Sequence, residues 1–398
     1  MTPPSTASGV LTIDLSALAD NWRFLNARAA PARAAAVIKA NGYGLGLELI
    51  ARTLDDAGCR TFFVAHLSEA MRARAVLSEE ARIYVLNGLL AGADPETDYS
   101  ARGLEPVIGS EEELARWRKL DPPRPFALHL DTGMNRLGFP SLDALREAVA
   151  RHGANGADLL MTHFVSAEHP GDPINALQIA RFAEARAVFP ELPAALANSS
   201  GIFLDATGGD WVRPGYALYG GNPTPYADNP MRAVAALDIV IQQTRWIEEG
   251  ETCGYNGLWT ARRRTRLATL LAGYADGLPI GAGAVDGNDG ASVRIAGRCC
   301  PLVGRVSMDL TIADVTDLPE DAVRPGVFAR FFGPDAPLDA FAKAAGTIGY
   351  HVLTSLGSRY ARVVKAQTGP GVSGDGAPVE RPGGVAEHGQ HDEQAEEA

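Results

Sequence analysis

From about residue 34 onward, short apolar runs alternate with segments whose apolar positions recur at helical spacing. "AAAVIKA" is followed by "LELIARTLDDAG", "TFFVAHL" by "SEAMRARAVL", and "RPFALHLDTGM" by "SLDALREAVARHG". "ADLLMTHF" then precedes "ALQIARFAEARAVF", and "AALANSS" and "WVRPGYALYG" end the series. Strands buried on both faces carry continuous apolar runs, so this texture predicts β-α units around a parallel sheet. Ser110, with Glu113 three residues on, has the form of a capping box ahead of "LARWRKL". A repeat of ~25–30 residues fits a (β/α)8 TIM-type barrel at its usual size of ~250 residues, although an open doubly wound sheet shares the pattern. Beyond Val234 the texture changes. "ALDIVIQQTRWI", "TRLATLLAGYA", "ASVRIAGRCC" and "PLVGRVSMDLTIADV" are separated by Gly, Asp and Asn, which predicts a smaller β-rich C-terminal domain. The expected organisation is an α/β barrel over residues 1–234, the β-rich domain over 235–366, and a disordered acidic Gly/Pro-rich tail over 367–398.

A chain of 398 residues exceeds what one core usually serves, which agrees with two domains. The net charge of −12 argues against nucleic acid or an anionic membrane surface as partner, since both select basic patches. About half of that charge comes from the tail, where seven acidic residues face Arg381. Cys59, Cys253, Cys299 and Cys300 form no C-x-x-C pair and no metal-ligand spacing, so neither a metal nor a disulfide framework is expected. The start, "MTPPSTASGVLTIDL", has no basic segment leading into an apolar core, and no run reaches the ~18 apolar residues of a membrane span. These features predict a soluble cytoplasmic protein.

The chemistry enters through "AVIKANGYGLG", an apolar run that ends on one of only four lysines in the chain. In a β/α barrel, reactive groups stand at the C-terminal ends of strands. Lys39, Arg136, His163, Asn198, Ser199 and Arg213 all fall at or just past a predicted strand end. Taken singly, each has a plain reading as a solvated charge, a core histidine or a turn. Taken together they offer an amine to trap an aldehyde, hydroxyl and amide donors for a phosphate, and an Arg-Pro-Gly turn to face a ring nitrogen. Those are the requirements of pyridoxal 5'-phosphate.

"AVIKANGYGLG", "LHLDTGMNRLGF", "LMTHF", "ANSSG", "VRPGYALYG", "CGYNGLWTA", "AGYADGLP", "PLVGRVSMD" and "GTIGYHVLTSLGSRY" resemble, in order, the signatures of the fold-type III alanine racemases from about residue 10 to 366. The resemblance implies pyridoxal-phosphate-dependent interconversion of L- and D-alanine, either to supply D-alanine for wall peptidoglycan or for catabolism. It implies that Lys39 links to the cofactor and acts as base on one face of Cα, while Tyr255 of a second subunit serves the opposite face. His163 and Arg213 match the hydrogen-bonded chain that supports the tyrosine, and Arg213 the residue facing the pyridine nitrogen. Asn198, Ser199, Gly215 and Tyr216 match the phosphate end, with Tyr43 and Tyr350 reaching or closing it. Arg136 and the Met308-Asp309 backbone match the carboxylate contacts, with Met308 limiting side-chain volume and Tyr274 lining the entrance. A tyrosine acting in trans implies a homodimer with shared sites.

Four positions depart from the family pattern. His129 stands where many members have a carbamylated lysine, which leaves either a hydrogen bond from Arg136 to neutral His129 or an anion such as chloride in that place. Leu45 and Ala195 stand where histidines are common, and Ser307 where cysteine is. Three rival readings stay open: a racemase of broader amino-acid specificity, a barrel-type decarboxylase, and a non-catalytic pyridoxal-phosphate-binding barrel protein. Arg213 speaks against the second, and "CGYNGLWTA" against the third.

Overall fold

The chain opens on strand β1 (Gly9–Asp14), and Asp14 caps the helix Leu15–Ala29 by accepting from the Ala17 amide at 2.9 Å. The parallel strands follow: β2 (Arg33–Ala34), β3 (Ala36–Val37), β4 (Thr61–Val64), β5 (Arg82–Val85), β6 (Leu104–Ile108), β7 (Phe126–His129), β8 (Ala157–Met161), β9 (Ala194–Ala195) and β10 (Trp211–Val212). A computed structural model describes residues 7–204 and 209–365; the tail expected over 367–398 lies outside the described residues.

Pairing decides between barrel and open sheet. The order is β2-β10-β9-β8-β7-β6-β5-β4-β3. Only Ala35 separates β2 from β3, and its amide donates to the Val212 carbonyl at 2.9 Å. β2 and β3 therefore act as one strand, paired with β10 along its first half and with β4 along its second. The ring closes with eight strand positions, as a TIM-type barrel does. All four residues of β4 are buried, as expected of a strand covered on both faces, and so are all five of β6 despite its Glu105 and Pro106.

Two strands escape the hydrophobic pattern. β5 begins on Arg82, and β6 contains Glu105 and Pro106, so neither looks like an apolar run. Among the described residues, the return segments after β5, β9 and β10 include only short helical turns (Pro95–Tyr99, Ser100–Arg102, Gly201–Phe203, Tyr216–Tyr219). The capping box at Ser110 forms in altered geometry. Ser110 Oγ accepts from the Glu113 amide at 3.2 Å, but the Glu113 carboxylate takes the amides of Gly109 (2.8 Å) and Leu89 (2.9 Å), stitching two loops together.

The second domain is organised on β11 (Ala235–Ile247), which pairs antiparallel with Thr265–Leu270 and Phe328–Phe332. β1 also pairs with β11, and runs parallel to Ala361–Lys365. This corrects one detail of the expected division: the first strand, counted within 1–234, lies in the β-rich sheet. Val10, Leu11 and Ile13 are buried there, and β1 occupies an edge of β11 that would otherwise be unpaired. The helix Gly349–Thr354 brings this domain to the barrel mouth, where Arg362 donates both terminal nitrogens to the Gly44 carbonyl at 3.0 Å.

At the opposite end of the barrel, Arg82 reaches both Glu105 and Asp158, and Tyr84 donates to Asp158 at 3.1 Å. Burial raises the pKa of both carboxyls while Arg82 opposes it. Arg82→Met removes the compensating charge. The raised carboxyl pKa values then rise further, so the stability lost grows as pH increases. We expect a loss of about 2–3 kcal/mol at pH 8, below the ~3–5 of a fully buried pair because the Arg82 side chain is 37% exposed, and a smaller loss at pH 5. Urea unfolding at both pH values checks this.

Candidate active site

A cavity of about 450 Å³ opens at the C-terminal ends of the barrel strands. Lys39 and Tyr43 enter it just past β3, His129 from the end of β7, Arg136 from the loop after it, and His163 just past β8. Asn198 and Ser199 follow β9, Arg213, Gly215 and Tyr216 follow β10, and Tyr350 comes from the second domain. None of the lining residues is acidic.

The lysine is carried by an unusual turn. Ala40, Asn41, Gly42 and Tyr43 have φ of 53°, 55°, 62° and 51°, one turn of left-handed backbone. Each non-glycine residue there costs roughly 1–2 kcal/mol, so the turn must be held. Glu69 accepts from the Asn41 amide at 3.1 Å and from the Ala65 amide at 3.0 Å. Asn41 Oδ1 in turn accepts from the Leu47 amide (3.2 Å) and from Arg72 (2.8 Å).

Arg213 dominates the electrostatics. It is 3% exposed and has no carboxylate partner among the described residues. Its guanidinium donates to the carbonyls of Ala195 (2.6 Å) and Thr162, and lies 3.5 Å from His163 Nδ1. Burial lowers its pKa to about 10, which still leaves it charged at neutral pH. Burial, then Arg136, lowers the Lys39 pKa, with Arg213 adding to the effect and Glu69 opposing it. Burial, then Arg213, takes His163 down to about 3 and His129 to about 4. The amine is thereby biased towards its neutral, nucleophilic form.

The phosphate-donor end is equally specific. Ser199 Oγ accepts from the amides of Gly215 (3.0 Å) and Ala217 (3.2 Å), which leaves its own O–H to donate elsewhere. A Cβ at position 215 would sit 2.3 Å from Tyr43 Oη, so only glycine admits that tyrosine. Tyr43 stacks on Tyr219 at 4.3 Å and Tyr216 on Tyr350 at 3.9 Å, while Tyr216 donates to Asp339 at 2.7 Å. Asn198 uses Oδ1 locally, accepting from the Gly201 amide at 2.9 Å. An acid-free cavity with an uncharged-leaning lysine, two further cations and hydroxyl donors fits an aldehyde that carries a phosphate.

Four predicted residues lie elsewhere. Tyr255 is 68% exposed and lines a separate cavity of about 590 Å³ together with Cys253, Arg305, Ser307 and Leu310. Tyr274 and Met308 are exposed, and Asp309 pairs with Arg359. Of the two arrangements considered for His129, the hydrogen bond from Arg136 is not formed among the described residues. Sequence reasoning missed Leu86, Asn87, Leu137, Met161 and Thr354 in the lining. Thr354 was findable, being one helical turn beyond Tyr350; Leu86 and Asn87 follow the unread strand β5. Among the described residues, no helix is long and apolar enough to cross a membrane, and no group of three His, Cys, Asp or Glu is placed to hold a metal ion.

Residues 13–223 match the family model described as alanine racemase, N-terminal domain, and residues 234–364 the one described as alanine racemase, C-terminal domain. The chain belongs to the alanine racemase family. A protein of Methylobacterium nodulans named alanine racemase is 54% identical over 370 residues, covering 91% of this chain and 97% of the relative. One of Acidiphilium cryptum with the same name is 51% identical over 362 residues, covering 89% and 98%. Among solved structures, the alanine racemase from Bartonella henselae with covalently bound pyridoxal phosphate superposes with a TM-score of 0.83 at 36% identity, covering 90% of this chain and 100% of that one.

The two depressed imidazoles give a direct test. Their folded pKa values lie below the ~6.5 of an unfolded histidine, so the unfolded chain takes up protons first and apo-protein stability falls as pH drops from ~6.5 towards 4. His129→Gln should flatten that slope, as read by melting temperature between pH 4.5 and 7.5, and NMR should find both rings neutral at pH 5.

Proposed function

We propose that the chain interconverts L- and D-alanine with pyridoxal 5'-phosphate as cofactor. The observation that carries the reading is the acid-free cavity that sets Lys39 beside buried Arg213 in a chain of the alanine racemase family. When bound, the cofactor supplies an aldehyde for the amine and an electron-poor ring that makes the Cα proton acidic. Lys39 would hold the aldehyde and move a proton on one face of Cα. Arg136, which has no hydrogen-bond partner among the described residues, would receive the substrate carboxylate. Ser199 Oγ and the Gly215-Tyr216 turn would hold the phosphate. Arg213 would face the ring nitrogen; a guanidinium does not readily give up its proton, so it would leave that nitrogen unprotonated and discourage side reactions.

Inversion needs a second proton-moving group on the opposite face. Tyr255 is the candidate, and because it lines a cavity separate from that of Lys39 it would serve a second copy. The working unit is then a homodimer in which each chain lends Tyr255, Tyr274 and the Met308-Asp309 loop to the other's cavity. Free thiols at all four cysteines suit a reducing cytoplasm. Enantiomers have equal free energy, so the catalyst does not set a direction; the hand that the cell consumes does.

Incubation with pyridoxal phosphate and L-alanine in D2O, following optical rotation and Cα deuteration, tests this. Loss of rotation with deuterium uptake is expected; silence on alanine with turnover of serine, lysine or arginine would move the reading to another racemase. Lys39→Ala should lose the absorbance of lysine-linked cofactor and all measurable turnover. Tyr255→Phe should keep the cofactor, lose racemisation by roughly 10²–10⁴-fold, and retain Cα exchange on D-alanine. Full activity in Tyr255→Phe would contradict the two-base assignment.

A further inference from the structure

Arg359 lies outside both cavities, yet its guanidinium joins two segments that bear on them, and a third is tied to one of the two through the backbone. Its Nε and Nη2 donate to the Asp276 carboxylate at 2.5 and 2.6 Å, and its Nη1 donates to Asp309 at 2.7 Å. Asp276 is 2% exposed and also accepts from the Gly273 amide at 2.9 Å. The amides of Tyr274 and Ala275 donate to the carbonyls of Ser307 and Met308, both at 3.0 Å, which joins the Tyr274 turn to the Met308 loop. The Gly357 amide donates to the Asp276 carbonyl at 3.0 Å, just beyond the helix Gly349–Thr354 that carries Tyr350 and Thr354. These backbones touch. A Cβ at Gly277 would lie 1.9 Å from the Ser355 carbonyl oxygen, and one at Gly273 would lie 2.1 Å from that of Ser307.

We propose that Arg359 is a positioning residue that, through Asp276 and Asp309, locks Tyr274 and Met308 to the Tyr350 helix and so sets which substrate side chains are admitted. The inference rests on the reaction and the shared sites proposed above. Tyr350 lines the cavity of its own chain, whereas Tyr274 and Met308 lie outside it and face the neighbouring one. One guanidinium then holds a wall of each site in a single block. A bidentate arginine-carboxylate pair is well suited to this, because it fixes orientation as well as distance.

Two variants of the holoenzyme separate this role from mere stability. Arg359→Lys keeps the charge but loses the fork. Asp309→Asn weakens one arm and leaves the buried Asp276 pair intact. With kcat and KM measured for L-alanine and L-serine, alongside melting temperature and cofactor absorbance, we expect kcat/KM for alanine to fall about tenfold or more, mainly through KM. The preference for alanine over serine should narrow about threefold or more. Cofactor absorbance should match the wild type, and Asp309→Asn should melt within a few degrees of it. Wild-type preference in both variants overturns the proposal, whatever happens to their stability. A wild-type enzyme that does not racemise alanine refutes the reaction instead, and is seen before any variant is made.

Discussion

A guanidinium buried without an acid beside it is the constraint around which this site is built. Such a charge is costly to desolvate, and Arg213 is held by backbone carbonyls at the ends of β8 and β9 in place of a carboxylate. Those carbonyls point at the guanidinium because the barrel brings the exits of adjacent parallel strands together, so the closed ring is a precondition of the site. The uncompensated field helps to hold His129 and His163 neutral and biases Lys39 towards the free amine. A carboxylate in the same place would reverse each of these effects and would favour protonation of a ring nitrogen.

The lysine is aimed by backbone that the chain adopts against its intrinsic preference. The left-handed turn over residues 40–43 depends on Glu69 and Arg72, both on the helix Leu67–Arg74 that follows β4. The second domain closes on the same turn from above, where Arg362 holds the Gly44 carbonyl and Tyr350 stacks on Tyr216. One domain thus supplies Lys39, and the other adds Tyr350 to the wall of the same cavity. Tyr255, also on the second domain, is exposed and lines a cavity separate from that of Lys39.

Much of this was legible in the sequence because parallel barrel strands leave continuous apolar runs and because residues that line the cavity end them. Lys39, His129, His163, Ser199 and Arg213 all reach one cavity from separate strand exits. β5 and β6 were not legible, since Arg82, Glu105 and Pro106 interrupt the pattern for the sake of a polar layer at the other end of the barrel. The placement of β1 in the second sheet was hidden too, because strand partners separated by more than 200 residues leave no local trace. The same limit hid Glu69 and Arg359, whose partners lie 28 and up to 83 residues away. His129 was visible as a departure, but that its side chain has no hydrogen-bond partner among the described residues required coordinates.

The central claim is that each site is completed by Tyr255 of the other copy. Mixing two inactive variants tests it most directly. Lys39→Ala and Tyr255→Phe chains, unfolded together and refolded in equal amounts with pyridoxal phosphate, form hybrid dimers with one intact site if the tyrosine acts in trans. Racemisation should then return to about a quarter of the wild-type rate, since about half of randomly assembled dimers are hybrids and each holds one working site of two. An equally well refolded mixture that stays as inactive as its components would contradict the shared site.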